Sequence, residues 1–260
     1  MGPVSVSPGR ATVRVAAAGD IHCGVENRGE VERAFASIEG EADLILLAGD
    51  LTTHGGLDEA RVLADVCRGF PLPVVAVLGN HDCHSDRAGE IAEVLTGAGV
   101  TVLERSSVVL AVRGTSVGVA GAKGFIGGFD SPWANFGEAV FREAYAETTA
   151  DVEGLNAALE SIHGAEVRIA LLHYAPVAET LRGEPEQLWL VLGSDRLAVP
   201  IAAHRPDLVL HGHAHRGSFE GSIDGVPVYN VAVHVMGRPF WVFELEARDG
   251  VSRVAITETA

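Results

Sequence analysis

Three apolar segments in the first third of the chain end in the same way. VRVAAAGDIH (13–22) runs into Gly19, Asp20 and His22; DLILLAGDLTT (43–53) runs into Gly49 and Asp50; LPVVAVLGNHDCHSD (72–86) runs into Gly79, Asn80, His81 and Asp82. A single strand ending in glycine and a turn-forming Asn or Asp would be an ordinary return to solvent. Here Asp20, Asp50 and Asn80 stand 30 residues apart in each case, about the length of one strand–helix–strand unit. Uninterrupted apolar runs mark strands buried on both faces, as in a parallel sheet. Each such strand then delivers a metal-type ligand at its carboxyl end, where open α/β sheets place their sites.

The intervening segments fit that frame. Residues 26–40 read as a helix with Val31, Phe35 and Ile38 on one face, 57–70 as a second with Leu57, Val62, Val66 and Phe70, and 86–95 as a third. Residues 100–124 supply short strands separated by turns. The stretch 136–164 is the longest helical region, with Leu155, Leu159 and Ile162 on one face of its second half. VRIALLHY (167–174) repeats the strand-to-ligand grammar at His173, and DLVLHGHAH (207–215) repeats it at His211 and His213. From Ser222 onward, Val, Tyr, Phe and Trp between Gly and Pro turns predict a meander of strands. The expectation is one domain over residues 1–260, with two packed sheets and helices outside. Residues 122–150 and 176–200, which include Trp133 and Trp189, read as insertions that shape the cleft.

Charge narrows the functional classes. The formal net charge is −16, from 19 Lys and Arg against 35 Asp and Glu, which disfavours a general affinity for nucleic acid or an anionic membrane. An anion site would have to be made locally, and bound cations are the means. The three cysteines, Cys23, Cys67 and Cys83, are too few and odd in number for a disulfide framework, and read as small apolar fillers. MGPVSVSPGRATVRV lacks the basic and apolar regions of a secretory signal. No apolar stretch approaches the ~20 residues of a membrane helix. The expected location is cytoplasmic.

Carboxylate, imidazole and amide donors collected at strand ends suit borderline-to-hard ions such as Mn, Fe, Zn, Co or Ni. Their number exceeds what one ion takes, and a carboxylate can bridge two ions about 3.5–4 Å apart. In order, Gly19-Asp20-Ile21-His22, Gly49-Asp50, Gly79-Asn80-His81-Asp82, a lone His173 and Gly212-His213-Ala214-His215 make the sequence resemble the calcineurin-like metallophosphoesterases. The resemblance covers residues 19–215 and implies a four-layer α/β/β/α sandwich of two mixed sheets, with the metal site at strand carboxyl ends. It implies two divalent or trivalent ions, one held by Asp20, His22, Asp50 and His215, the other by Asp50, Asn80, His173 and His213, with Asp50 bridging. One departure, His173-Tyr174-Ala175-Pro176 where a second proline is common, touches nothing catalytic.

The resemblance also implies a mechanism: a metal-bridging hydroxide attacks phosphorus in line with the leaving oxygen, while His81 donates to that oxygen and Asp82 supports His81. His54, His84, Lys123 and His211 are further candidates for substrate contact, His211 reading first as a hydrogen-bonded neighbour of the ligands. His163, His204 and His234 read as structural. The expected function is hydrolysis of a phosphodiester or phosphomonoester of a small molecule. A nuclease would want a basic groove that this acidic chain does not advertise. A non-catalytic scaffold of the same fold would show lost ligands, and none is missing.

Overall fold

A computed structural model describes residues 12–129, 137–247 and 254–256. The apolar runs form β1 (Thr12–Ala18), β2 (Leu44–Ala48), β3 (Val74–Val77) and β4 (Val100–Val102), all parallel neighbours in one sheet. α1 (Arg28–Ser37), α2 (Leu57–Cys67) and α3 (Ala88–Thr96) connect them. α1 buries the expected Val31 and Phe35, and α3 buries Ile91 and Leu95. α2 instead turns Ala60, Val62, Leu63, Ala64 and Cys67 inward, so that of the expected Leu57, Val62, Val66 and Phe70 only Val62 is buried. The sheet's outer face is covered and the strands need no polar side.

The second sheet contains β5 (Ser106–Val112), β6 (Thr115–Ala122), β7 (Val167–Leu172), β8 (Leu208–His211), β9 (Glu220–Ile223) and β10 (Val226–Asn230), in the order β5-β6-β7-β8-β10-β9. β6, β7, β8 and β10 run parallel, and antiparallel β5 and β9 close the edges. The long α4 (Ala139–Ser161) and the shorter α6 (Ala198–His204) lie against this sheet, with the one-turn α5 (Trp189–Leu192) in the connection between them. Strand alternation separates two cores: Val167, Ile169 and Leu171 of β7 face the first sheet, whereas Ala170 and Leu172 pack with Leu155 and Leu159 of α4. The layers are therefore helix, sheet, sheet, helix, as expected, and both sheets are mixed.

The tail departs from the expected meander. β9 and β10 make a hairpin on the second sheet, but the chain then passes through the one-turn α7 (Val233–Met236) and changes sheet. β11 (Trp241–Glu246) pairs antiparallel with β1, and β12 (Val254–Ile256) pairs with β11, giving the first sheet the order β12-β11-β1-β2-β3-β4. The reason is the open edge of β1, a strand whose Val13 and Val15 are fully buried and whose backbone groups need a partner. No helix among the described residues is long and apolar enough to cross a membrane.

Leu171 is fully buried between the sheets, two residues before His173. Leu171→Ala should destabilise the protein by about 2–5 kcal/mol, read as a lowered midpoint in urea unfolding. A change within error would mean that the sheets close over the lost volume.

Candidate metal centre

The ligand-bearing loops continue the parallel ladder beyond the strand ends. Asp20 N donates to Gly49 O, His22 N to Asp50 O and Cys23 N to Leu51 O at 2.9–3.0 Å, while Gly212 N donates to His173 O at 3.1 Å. These bonds hold a strained backbone. Asp20, His22, Asp50 and His213 have φ of 58°, 40°, 48° and 70°, a left-handed region that costs a non-glycine residue of order 1–3 kcal/mol and clusters at functional sites. Glycine is required beside them. A Cβ on Gly49, itself at φ 83°, would overlap the ring of His173, and one on Gly79 would overlap the carboxylate of Asp50.

The result is two donor groups that share one residue. Asp20, His22, Asp50 and His215 can bring ligand atoms within 4.8 Å of one another, and so can Asp50, His173 and His213. Asn80 joins the second group, its Oδ1 2.9 Å from His173 Nε2. All seven ligands inferred from the sequence thus converge, drawn from both sheets.

The electrostatics fit a cation. Asp20 and Asp50 are each 1% exposed, and their ion-pair partners among the described residues are histidines, with no Lys or Arg. Burial raises the carboxyl of Asp20 above its ordinary range. Burial also pushes His22 down to about 4 and both His173 and His213 down to about 3, so these rings are neutral and keep a lone pair for an ion. His215 moves the other way because of its 2.9 Å hydrogen bond with Asp20 Oδ1. His173 is the sharpest case: Nδ1 lies 2.9 Å from Ala48 O, while Nε2 lies 2.9 Å from Asn80 Oδ1 and 3.3 Å from Asp50 Oδ1. A neutral imidazole has one N–H, so Nδ1–H donates to Ala48 and the Nε2 lone pair faces oxygen acceptors, an arrangement that calls for a cation between them. The donor set fits Mn, Fe, Zn, Co or Ni. His213 Nε2 sits 3.2 Å from Val191 O, a backbone contact that fixes the ring from behind.

His81 borders the centre. Its backbone N–H donates to Asp50 Oδ1 at 2.8 Å, Nδ1 lies 2.7 Å from Thr53 O, and Nε2 lies 3.9 Å from Asp50 Oδ2 on a side chain one-third exposed. The Thr53 carbonyl therefore orients the ring, which corrects the support expected from Asp82. Asp82 is fully buried and accepts from the backbone N–H groups of Gly79, Leu51 and Thr52 and from Thr52 Oγ1, at 2.6–3.1 Å. It stitches the second ligand loop to the third, and burial pushes its carboxyl up to about 6.

The remaining candidates divide. Lys123 ends next to the second group: Nζ lies 4.7 Å from the Phe125 ring centroid and 5.3 Å from that of Tyr174, whose ring is 4.4 Å from His213. His84 is exposed with its ring 4.3 Å from His81. His54 is exposed on the loop after Asp50 and tied to Glu59 at 3.0 Å. His211 is not a substrate contact. It is fully buried, with Nδ1 2.8 Å from Gly212 O and Nε2 2.9 Å from Thr180 Oγ1, so it braces the last ligand loop. Trp133 lies outside the described residues, whereas Trp189 meets Phe129 edge to face in the segment whose Val191 reaches His213. Burial pushes the thiols of Cys23 and Cys67 up to about 12, consistent with apolar fillers. Sequence reasoning missed two residues here. Asn230, buried, donates from Nδ2 to Ala214 O at 2.8 Å, and His234, read as structural, lies against His215. Neither is flanked by glycine, as Asp20, Asp50, Asn80 and His213 are.

The depressed histidines set the pH response of the metal-free protein. His22, His173, His211 and His213 have folded pKa values below the ordinary imidazole value. The unfolded chain therefore binds protons that the fold refuses, and stability is lost as pH falls from about 6.5 towards about 4. His234 is lowered with them, whereas Asp20, Asp82 and Asp151, raised by burial, and His215, raised by its bond with Asp20, act with the opposite sign, four groups against five. Thermal unfolding in chelator should show a Tm that drops on acidification through this range. A flat profile would mean that the rings are already protonated in the fold.

Against known proteins, the pattern of the calcineurin-like phosphoesterase family matches residues 13–217. No curated protein is a significant match by sequence. Among solved structures, the chain is similar to the phosphopantetheinyl hydrolase PptH of Mycobacterium tuberculosis, with a TM-score of 0.65, 19% identity, and coverage of 84% of this chain and 88% of that one. It is similar to GAP50 of Plasmodium, described as the anchor in the inner membrane complex, with a TM-score of 0.56, 12% identity and coverage of 95% and 90%. It also resembles the sulfate thiohydrolase SoxB of Thermus thermophilus, with a TM-score of 0.50, 16% identity and coverage of 88% and 41%. These likenesses concern the fold; the family match covers β1 to β8 and every donor of the centre, and the chain belongs to the calcineurin-like phosphoesterase family.

Proposed function

We propose that the protein is a dinuclear metal-dependent hydrolase of a small phosphorylated molecule, with a phosphodiester preferred over a phosphomonoester. The observation that carries this reading is the position of Asp50, a buried carboxylate common to both donor groups. Asp20, His22, Asp50 and His215 would hold one ion, and Asp50, Asn80, His173 and His213 the other. Ions bound there would make a water acidic enough to ionise near neutral pH and would neutralise charge on the phosphoryl oxygens.

The chain's own groups supply orientation and proton handling. Thr53 O accepts a hydrogen bond from Nδ1–H of His81, so Nε2, on the Asp50 side of a partly exposed ring, is the atom that serves the leaving oxygen. It donates there from the imidazolium, in which both nitrogens carry a proton. Lys123, on the side of the second group, is the available cation for a further phosphoryl oxygen. A scaffold role, as an anchor of this fold would have, is disfavoured by the complete donor set and by strained backbone retained at four of its members.

Asp50→Asn should lower the content of both ions, measured by elemental analysis after metal loading, because one carboxylate serves both groups. Active wild type holding a single ion whose retention is unaffected by Asp50→Asn would overturn the bridging role. Bis(p-nitrophenyl) phosphate should be hydrolysed with Mn present. A panel in which only monoesters are cleaved would reverse the diester preference, and activity confined to long DNA or RNA would favour a nuclease.

His81→Ala should keep both ions but slow turnover. Proton donation contributes about 10²–10⁴-fold and matters most for poor leaving groups. The loss should therefore be much larger for alkyl esters than for nitrophenyl esters. Equal losses with both ions retained would reduce His81 to orienting the phosphoryl group.

A further inference from the structure

Two imidazoles lean on His22. One is His81, at 4.6 Å between ring centroids, and the other is His234, at 6.3 Å. His234 also stacks on His215, with centroids 4.3 Å apart and ring planes within 15°. It therefore stands against the first donor group, at His22 and His215, while His81 stands at His22 and Asp50.

The placement is rigid. Gly19 N donates to Val231 O at 2.7 Å and Val233 N donates back to Gly19 O at 3.0 Å, so the residues leading into α7 are pinned to the glycine that precedes Asp20. The turn carrying His234 is closed by Gly237 N donating to Val233 O at 2.9 Å, with Gly237 left-handed at φ 62°. The ring itself is exposed. Those of His173, His211, His213 and His215 are tied to carbonyl, hydroxyl or carboxylate oxygens. Among the described residues neither nitrogen of His234 has a hydrogen-bond partner. Parallel stacking on His215 occupies a face of the ring and leaves the edge, which carries both nitrogens, open beside the first donor group.

We infer that His234 is a substrate-binding residue on the first-group side of the cleft, donating an N–H to a non-bridging phosphoryl oxygen. The inference rests on the phosphoesterase reading and adds a residue that the motifs do not contain. Its effect differs from that of His81. A hydrogen bond to a non-bridging oxygen forms in the ground state and persists through the transition state, so its loss raises KM and leaves kcat little changed. The competing role, a prop for His215, needs only the stack, which a phenyl ring preserves.

The test uses Mn-loaded wild type, His234→Phe and His234→Gln. Metal content is measured, the affinity for inorganic phosphate is determined by calorimetry, and kcat and KM are measured on bis(p-nitrophenyl) phosphate. All three proteins should hold both ions. His234→Phe should bind phosphate about tenfold more weakly and show a matching rise in KM, as expected for one hydrogen bond to a charged group. His234→Gln, which keeps an N–H donor, should recover part of the loss. Wild-type phosphate affinity in His234→Phe, or loss of an ion from it, would overturn the assignment in favour of a prop. Phosphate binding needs no turnover. A wild type that holds ions and phosphate but hydrolyses no ester would therefore sink the phosphoesterase reading, while the phosphate titration still decides the contact made by His234.

Discussion

Two carboxylates, Asp20 and Asp50, are buried at the seam where the carboxyl ends of both sheets meet, and among the described residues they pair only with histidines, with no Lys or Arg to balance them. Removing a charge from water without a partner costs several kcal/mol. A further strain of order 1–3 kcal/mol falls on each left-handed ligand residue. Such a centre cannot organise itself. It is imposed by β1, β2 and β3, whose parallel register aligns Ala18 with Leu47 and Ala48 with Val77, so that the residues after each strand arrive at one level. The hydrophobic burial of those strands on both faces supplies the stability that the centre consumes.

The same register explains how the second sheet takes part. β7 and β8 reach the seam with their own carboxyl ends, and Gly212 N to His173 O joins their loops as Asp20 N to Gly49 O joins those of the first sheet. The sheets are then linked at the seam itself, through the Gly19–Val231 bonds and the His213 N–H to Asp20. Asp82 and His211 act as mortar in this arrangement. Each saturates a buried polar loop that would otherwise carry unpaired groups. Shape and charge at the centre are thus fixed before any ion arrives, which is what preorganised electrostatic catalysis requires.

How much of this could be read from residues alone follows from the same physics. Asp20, Asp50 and Asn80 were legible because a strand–helix unit has a nearly constant length, so the repeat survives in the spacing. His173 and the pair His213 and His215 were legible because each follows an apolar run. The four layers followed from the family likeness. Period-2 patterning identifies β11 as a strand but cannot say that it leaves the second sheet to pair with β1, since the partner is chosen by an open edge far away in sequence. The family likeness made Asp82 the partner of His81, yet adjacent side chains in a tight turn diverge, and the amides of Leu51 and Thr52 claimed its carboxylate. His234 was hidden because nothing local marks it; only the bridge between Gly19 and Ala232 brings α7 to the centre.

Charge on a larger scale completes the picture. A chain of net charge −16 repels phosphates over most of its surface, but that repulsion decays within about 8–10 Å at physiological ionic strength. A small phosphoester would meet the acidic surface only briefly and would then lie wholly within the range of the centre. There, ions on Asp20 and Asp50 would reverse the sign of the local field, and Lys123 and the imidazoles offer donors. A long polyanion gains the same contacts at one phosphate and must lay the rest of its backbone along acidic surface, with no compensating release of counterions to basic side chains. The burial that makes Asp20 and Asp50 expensive therefore also confines the attraction for phosphate to one small volume, and this confinement argues for a small substrate over a polymeric one.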